Sequence, residues 1–90
     1  MEKELEKKIE KLRKEIDLID EQIVKSLNER AKIVLAIRSL KERAGLSVYD
    51  PKREEEIFNH LFSINHGPLY NDDVRDIYEE ILRVMKEIEK

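Results

Sequence analysis

Residues 2–44, EKELEKKIEKLRKEIDLIDEQIVKSLNERAKIVLAIRSLKERA, decide the fold. Apolar residues recur there along two lines with seven-residue spacing. One line is Ile9, Ile16, Ile23, Arg30, Ile37, Ala44; the other is Leu5, Leu12, Ile19, Ser26, Ile33, Leu40. Such a seam, sustained over about six heptads, is the signature of a long coiled-coil-like helix. At ~1.5 Å per residue it makes a rod on the order of 65 Å long. A rod of that length overshoots any globule the rest of the chain can form, so its apolar stripe calls for a second molecule.

Outward from this stretch, chain breakers fall in two places: Gly45 through Pro51, and Asn65 through Asp73 with Gly67-Pro68. They leave two shorter helical segments. The second helix starts at Asp50-Pro51, an N-cap acid followed by proline at the first helical position. Its stripe is Ile57, Phe58, Leu61, Phe62. The third starts at Asn71 or Asp72, with Val74, Ile77, Tyr78, Ile81, Leu82, Met85 and Ile88 in phase. The expectation is one all-α domain over residues 1–90, with helices over about 2–44, 51–65 and 72–89.

The bulk properties narrow the function. Ninety residues make one domain that is marginal alone, so dimerisation is a natural remedy. The absence of cysteine removes disulfides and thiolate metal sites. A net charge of −3 argues against nucleic acid as the main partner. No apolar run reaches membrane-spanning length, and MEKELEKKIEK lacks the apolar core of a signal peptide. The expected setting is therefore cytoplasmic, with no membrane partner.

The informative residues are charges in phase with the apolar stripes, because an unpaired buried charge is costly. Arg30 replaces an isoleucine in the first line. Lys41 continues the flanking line Leu27, Val34. Glu54 precedes Ile57, Phe58 and Leu61 on the inner face of the second helix, and Glu89 follows Leu82 and Met85 on the stripe of the third. Each also has a plainer explanation. Arg30 can fix the register of a seam. Lys41 and Glu54 suit the dipoles of their helix ends, Glu89 can fray into water, and Asp50 is accounted for as a cap. His60 and His66 share no metal-like spacing with carboxylates and read as surface residues. Tyr78 reads as core.

Spacing connects these charges. Arg30 and Lys41, eleven residues apart, differ by only about 20° around the helix and ~16 Å along it, so their long side chains can close on one small anion. Arg13 and Arg30 are separated by roughly 25 Å and about a third of a turn. One small ligand meets both only if Arg13 comes from the partner of an antiparallel dimer.

The stretches LRKEIDLIDEQIVKSLNERAKIVLAIRSLK and VYDPKREEEI resemble the all-helical chorismate mutases. The matching pattern is Arg13, the acidic segment with Asp17 and Asp20, Glu29-Arg30, Lys41, and Asp50-x-x-Arg53-Glu54, in register without a gap. IYEEILRVMKEIEK resembles the family's last helix more weakly.

The resemblance implies an intertwined helical-bundle homodimer of three-helix chains. It implies the pericyclic (Claisen) isomerisation of chorismate to prephenate in aromatic amino-acid biosynthesis, without metal, cofactor or covalent intermediate. By the same resemblance, Arg30 and Arg13 of the partner subunit would bind the two substrate carboxylates. Lys41 would donate to the ether oxygen as its bond breaks, with Glu89 as second donor. Asp50, Arg53 and Glu54 would hold the hydroxyl end of the ring. Paired guanidiniums suit a dicarboxylate. A unimolecular rearrangement needs a selected conformer and stabilised charge rather than an acid, base or nucleophile.

Two positions depart from the family pattern. Met85 stands where a serine often contacts a carboxylate, and methionine cannot donate. Glu89 stands where glutamine is frequent, and a carboxyl donates only when protonated. Activity is therefore expected to fall as pH rises, and Glu89→Gln to flatten that dependence. Two other functions remain open: an isochorismate pyruvate lyase on the same fold, which the same cations would serve, and a non-catalytic helical dimerisation module. For the module, Arg30→Leu stabilises the dimer. For an enzyme it also abolishes turnover, even if removing a buried charge stabilises the fold.

Overall fold

The computed structural model describes residues 1–89; Lys90, the end of the expected domain, lies outside the described residues. The chain runs α1 (Glu2–Ala44), α2 (Pro51–Ile64), α3 (Asn71–Glu87), with no strand among the described residues. The first helix has the length its heptads require. No helix among the described residues is long and apolar enough to cross a membrane. Contacts divide the chain into two compact units, Met1–Ile33 and Val34–Lys90.

The first unit is helix alone. Its seam residues carry their apolar surface into solvent: Leu5, Ile9, Leu12, Ile16, Ile19 and Ile23 are all exposed, Ile16 by 55% and Ile19 by 59%. Arg30 is half-buried.

The second unit holds the end of α1 together with α2 and α3. Its core is Phe58 on α2 with Leu82 and Met85 on α3, of which Leu82 and Met85 are 7% and 6% exposed. These are the in-phase residues of the two short stripes. The Phe58 and Phe62 rings lie 6.0 Å apart, and the Arg75 guanidinium sits 4.8 Å and 5.0 Å from their centroids. That cation–π contact ties α3 to α2. Tyr78 is half-buried rather than fully in the core, and His60 and His66 are exposed.

Local chemistry ends and starts each helix. α1 stops because Gly45, with φ +68°, takes the left-handed conformation that closes a Schellman turn. The Leu46 N–H then donates to the Lys41 carbonyl at 2.8 Å and the Gly45 N–H to that of Glu42 at 3.2 Å. Asp50 caps α2 by accepting from the Arg53 N–H at 3.1 Å, with Pro51 following. Asn65 shapes the turn after α2. Its amide donates to the Leu69 carbonyl and to Asn71, and its carbonyl oxygen accepts from the Gly67 N–H. At the start of α3 the Asp73 carboxylate accepts from the Tyr70 N–H.

Two boundaries move from their expected places. α2 ends at Ile64, where Asn65 turns extended. α3 ends at Glu87, two residues short of the expected limit, because Ile88 is also extended, with φ −64° and ψ 145°. Glu89 therefore does not continue the α3 stripe; it lies beyond the helix and is exposed. A long-range contact holds this end. The Arg38 guanidinium donates to the carbonyls of Ile88 at 2.7 Å, Met85 at 2.9 Å and Lys86 at 3.3 Å. It takes over carbonyls that a helix end leaves without partners.

Candidate active site

Within the second unit, the end of α1, the loop after it, α2 and the end of α3 enclose a cleft of about 160 Å³. Its apolar lining is Val34, Ile37, Val48, Ile57, Leu82 and Met85. Its charged lining is Arg38, Lys41, Asp50, Arg53, Glu54 and Lys86. Four cations face two carboxylates, so the wall carries two positive charges in excess. An apolar pocket with a few convergent charges is the usual form of a small-molecule site. The sign of this one selects an anion.

The charges are organised by pairing across elements. Lys41, near the end of α1, places its ammonium 3.7 Å from the Asp50 carboxylate, with only 24% of its side chain exposed. Asp50 thus does two things: it caps α2 and it steers Lys41. Glu54, in the first turn of α2, receives the Lys86 ammonium from α3 at 2.8 Å. Arg53 is more exposed, 4.0 Å from Glu56 on its own helix, which leaves its guanidinium loosely held. The apolar wall around these groups lowers the local dielectric and strengthens their action on a bound charge.

Five of the residues singled out in the sequence meet here: Lys41, Asp50, Arg53, Glu54 and Met85. Met85 is buried in the floor and offers sulfur and methyl, not a donor. Glu89, past the end of α3, is not among the lining residues. Arg13 and Arg30 belong to the first unit. There Arg13 is exposed, 3.7 Å from Glu10 one turn earlier.

Two charged cleft residues escaped the sequence reading, Arg38 and Lys86. Arg38 had a signal: it lies four residues after Val34 and three before Lys41, on the same face of the helix as both. Lys86 had none, because its partner Glu54 lies on another helix.

The chain is similar to known proteins. The family model described as chorismate mutase type II matches residues 12–90. The chain is 40% identical over 86 residues to a bifunctional chorismate mutase/prephenate dehydratase of Aquifex aeolicus (strain VF5), covering 91% of this chain and 24% of that protein. It therefore spans less than a quarter of that relative's length. It is 33% identical over 54 residues to a chorismate mutase of Methanocaldococcus jannaschii, covering 60% of this chain and 54% of that one. Among solved structures, it is similar to form II of the chorismate mutase from Thermus thermophilus. The TM-score is 0.88 at 37% identity, over 90% of this chain and 92% of that one.

Proposed function

This chain belongs to the chorismate mutase type II family, and on that premise we propose that it isomerises chorismate to prephenate in aromatic amino-acid biosynthesis. The observation that carries the reading is the cleft wall of the second unit. It gathers Lys41, Asp50, Arg53 and Glu54 around an apolar floor, with net positive charge for a substrate that bears two carboxylates.

In this reaction one C–O ether bond breaks and one C–C bond forms within a single molecule. The protein's task is to hold the compact conformer and stabilise the charge that grows on the ether oxygen. Arg30 and Arg13 of the partner subunit grip the carboxylates. Lys41, steered by Asp50, donates to the ether oxygen. Asp50, Arg53 and Glu54 receive the ring hydroxyl. Glu89 is the second donor when protonated, and it directly follows Ile88, whose carbonyl Arg38 holds.

The active unit in this reading is an intertwined homodimer. Two observations support it. The first unit exposes a continuous apolar seam from Leu5 to Ile23, which a soluble monomer rarely does. A cleft of about 160 Å³ also falls below the roughly 300–1,000 Å³ of complete small-molecule sites, as expected of a site that a second chain completes. A cytoplasmic setting, where soluble biosynthetic intermediates circulate, belongs to the same reading.

The test follows loss of chorismate by ultraviolet absorbance, with isochorismate assayed in parallel. Wild type turns over chorismate, and Arg30→Ala loses about 10²–10³-fold in rate. A dimeric wild type inactive on chorismate would sink the proposal. Pyruvate released faster from isochorismate would move it to a lyase.

A further inference from the structure

We propose that Lys86 is a positioning residue that holds the Glu54 carboxylate in place for substrate and keeps it away from Lys41; this rests on the function proposed above. The Lys86 ammonium lies 2.8 Å from Glu54 Oε2, an ion pair between α3 and α2 on the cleft wall. Lys41 lines the same cleft and pairs with Asp50 at 3.7 Å. The two acids of the wall are therefore each matched to their own lysine. Without Lys86, Glu54 gains rotamer freedom and the remaining cations of the cleft become its partners. Lys41, which already pairs with Asp50, would then meet a second carboxylate that competes with substrate for it, and Glu54 would no longer be held toward a hydroxyl.

The base of Lys86 is fixed as well as its tip. Arg38 donates to the Lys86 carbonyl at 3.3 Å and to its neighbour Met85 at 2.9 Å, so the backbone that carries Lys86 is anchored to α1. A stabilising role is a poor alternative explanation. With 57% and 31% of the two side chains exposed, such a pair adds little to stability. Loss of the pair should therefore act on catalysis and leave folding nearly untouched.

Lys86→Met keeps the stem and removes the charge. Measured on chorismate with the dimer, it lowers kcat/KM about tenfold, chiefly through KM, as expected for losing a charge-assisted contact. Lys86→Arg restores most of the loss, and the melting temperature barely moves. In a Glu54→Gln background, adding Lys86→Met costs nothing further. A fully active Lys86→Met, or an equal further loss in the Glu54→Gln background, overturns the proposal. A wild type without chorismate turnover overturns the functional reading alone. The pairing is then decided by lysine side-chain NMR, where Lys86 shows slowed ammonium proton exchange that Glu54→Gln abolishes. Exchange equally fast in both proteins refutes it.

Discussion

Residues 5–23 of α1 and residues 74–88 around α3 carry the same kind of signal, apolar residues at helical spacing, yet their surfaces end differently. In the second region Leu82 and Met85 are buried, because α2 lies within the same unit and offers Phe58 and its neighbours. In the first region Ile9, Ile16, Ile19 and Ile23 remain exposed, because the unit contains a single helix with nothing to pack against. Periodicity thus establishes which face of a helix is apolar but not what covers it. Burial of apolar area is the main favourable term in folding. A seam left open over three heptads therefore leaves apolar area for a second surface to bury, and in the proposed dimer a second copy with the same seam supplies it.

The largest effect tests whether the two regions serve one site from two chains. Arg13→Ala and Lys41→Ala homodimers should each lose about 10²–10³-fold in kcat/KM. Mixed after partial denaturation and refolding, they should recover about a quarter of wild-type activity. Half of the dimers are then mixed, and in each of these one of two sites has both cations, as two-fold symmetry requires. No recovery, with mixed dimers demonstrated by mass, would mean that each site is built from one chain.

Stability should separate the regions next. Ile16→Asp places a charge in the exposed seam, so it should dissociate the dimer and abolish turnover while the second unit keeps its helices. Sedimentation and circular dichroism measure both. Leu82→Ala, at a position 7% exposed, should cost about 2–5 kcal/mol from transfer and cavity terms. Urea unfolding reads this as a lower midpoint. A milder Ile16→Ala should lower the melting temperature, and the melting temperatures of wild type and variant should both rise with protein concentration, since association stabilises by mass action. Melting temperatures independent of concentration would remove the partner from the first region.

How much of this was legible in the sequence follows the same division. The extent of α1 was readable because heptad period, the αL glycine at position 45 and the Asp50-Pro51 start are all local. Lys41 and Glu54 were readable from their phase with the apolar stripes and Asp50 as a helix cap, whereas Arg53 was readable only through the resemblance. What escaped depends on contacts between elements. Arg38 holds the last carbonyls of α3, and Glu89 lies beyond that end, off the stripe. Lys86 pairs with Glu54 only because two helices bring them together. No window of sequence contains either event.

The smallest predicted effect contrasts two charge pairs on α3. Arg83 donates to Glu80 and, at 2.9 Å, to Glu87, all on the same exposed face. The hydrogen bond from Arg83 holds the Glu80 carboxyl below its ordinary range, and Glu80 and Glu87 together raise the Arg83 guanidinium. A carboxyl whose folded pKa is depressed contributes stability above its unfolded value and loses it as pH falls through the folded one. Any advantage of wild type over Arg83→Ala should therefore be present at neutral pH and vanish on acidification through the carboxylate range. Because the pair is exposed, salt should erase it too, and chorismate turnover should not change. Lys86→Met is the opposite case: the same helix and a similar ion pair, but with a partner in the cleft wall, so turnover falls while melting hardly moves. Equal behaviour of the two variants in both assays would mean that the cleft gives its ion pair no distinct role.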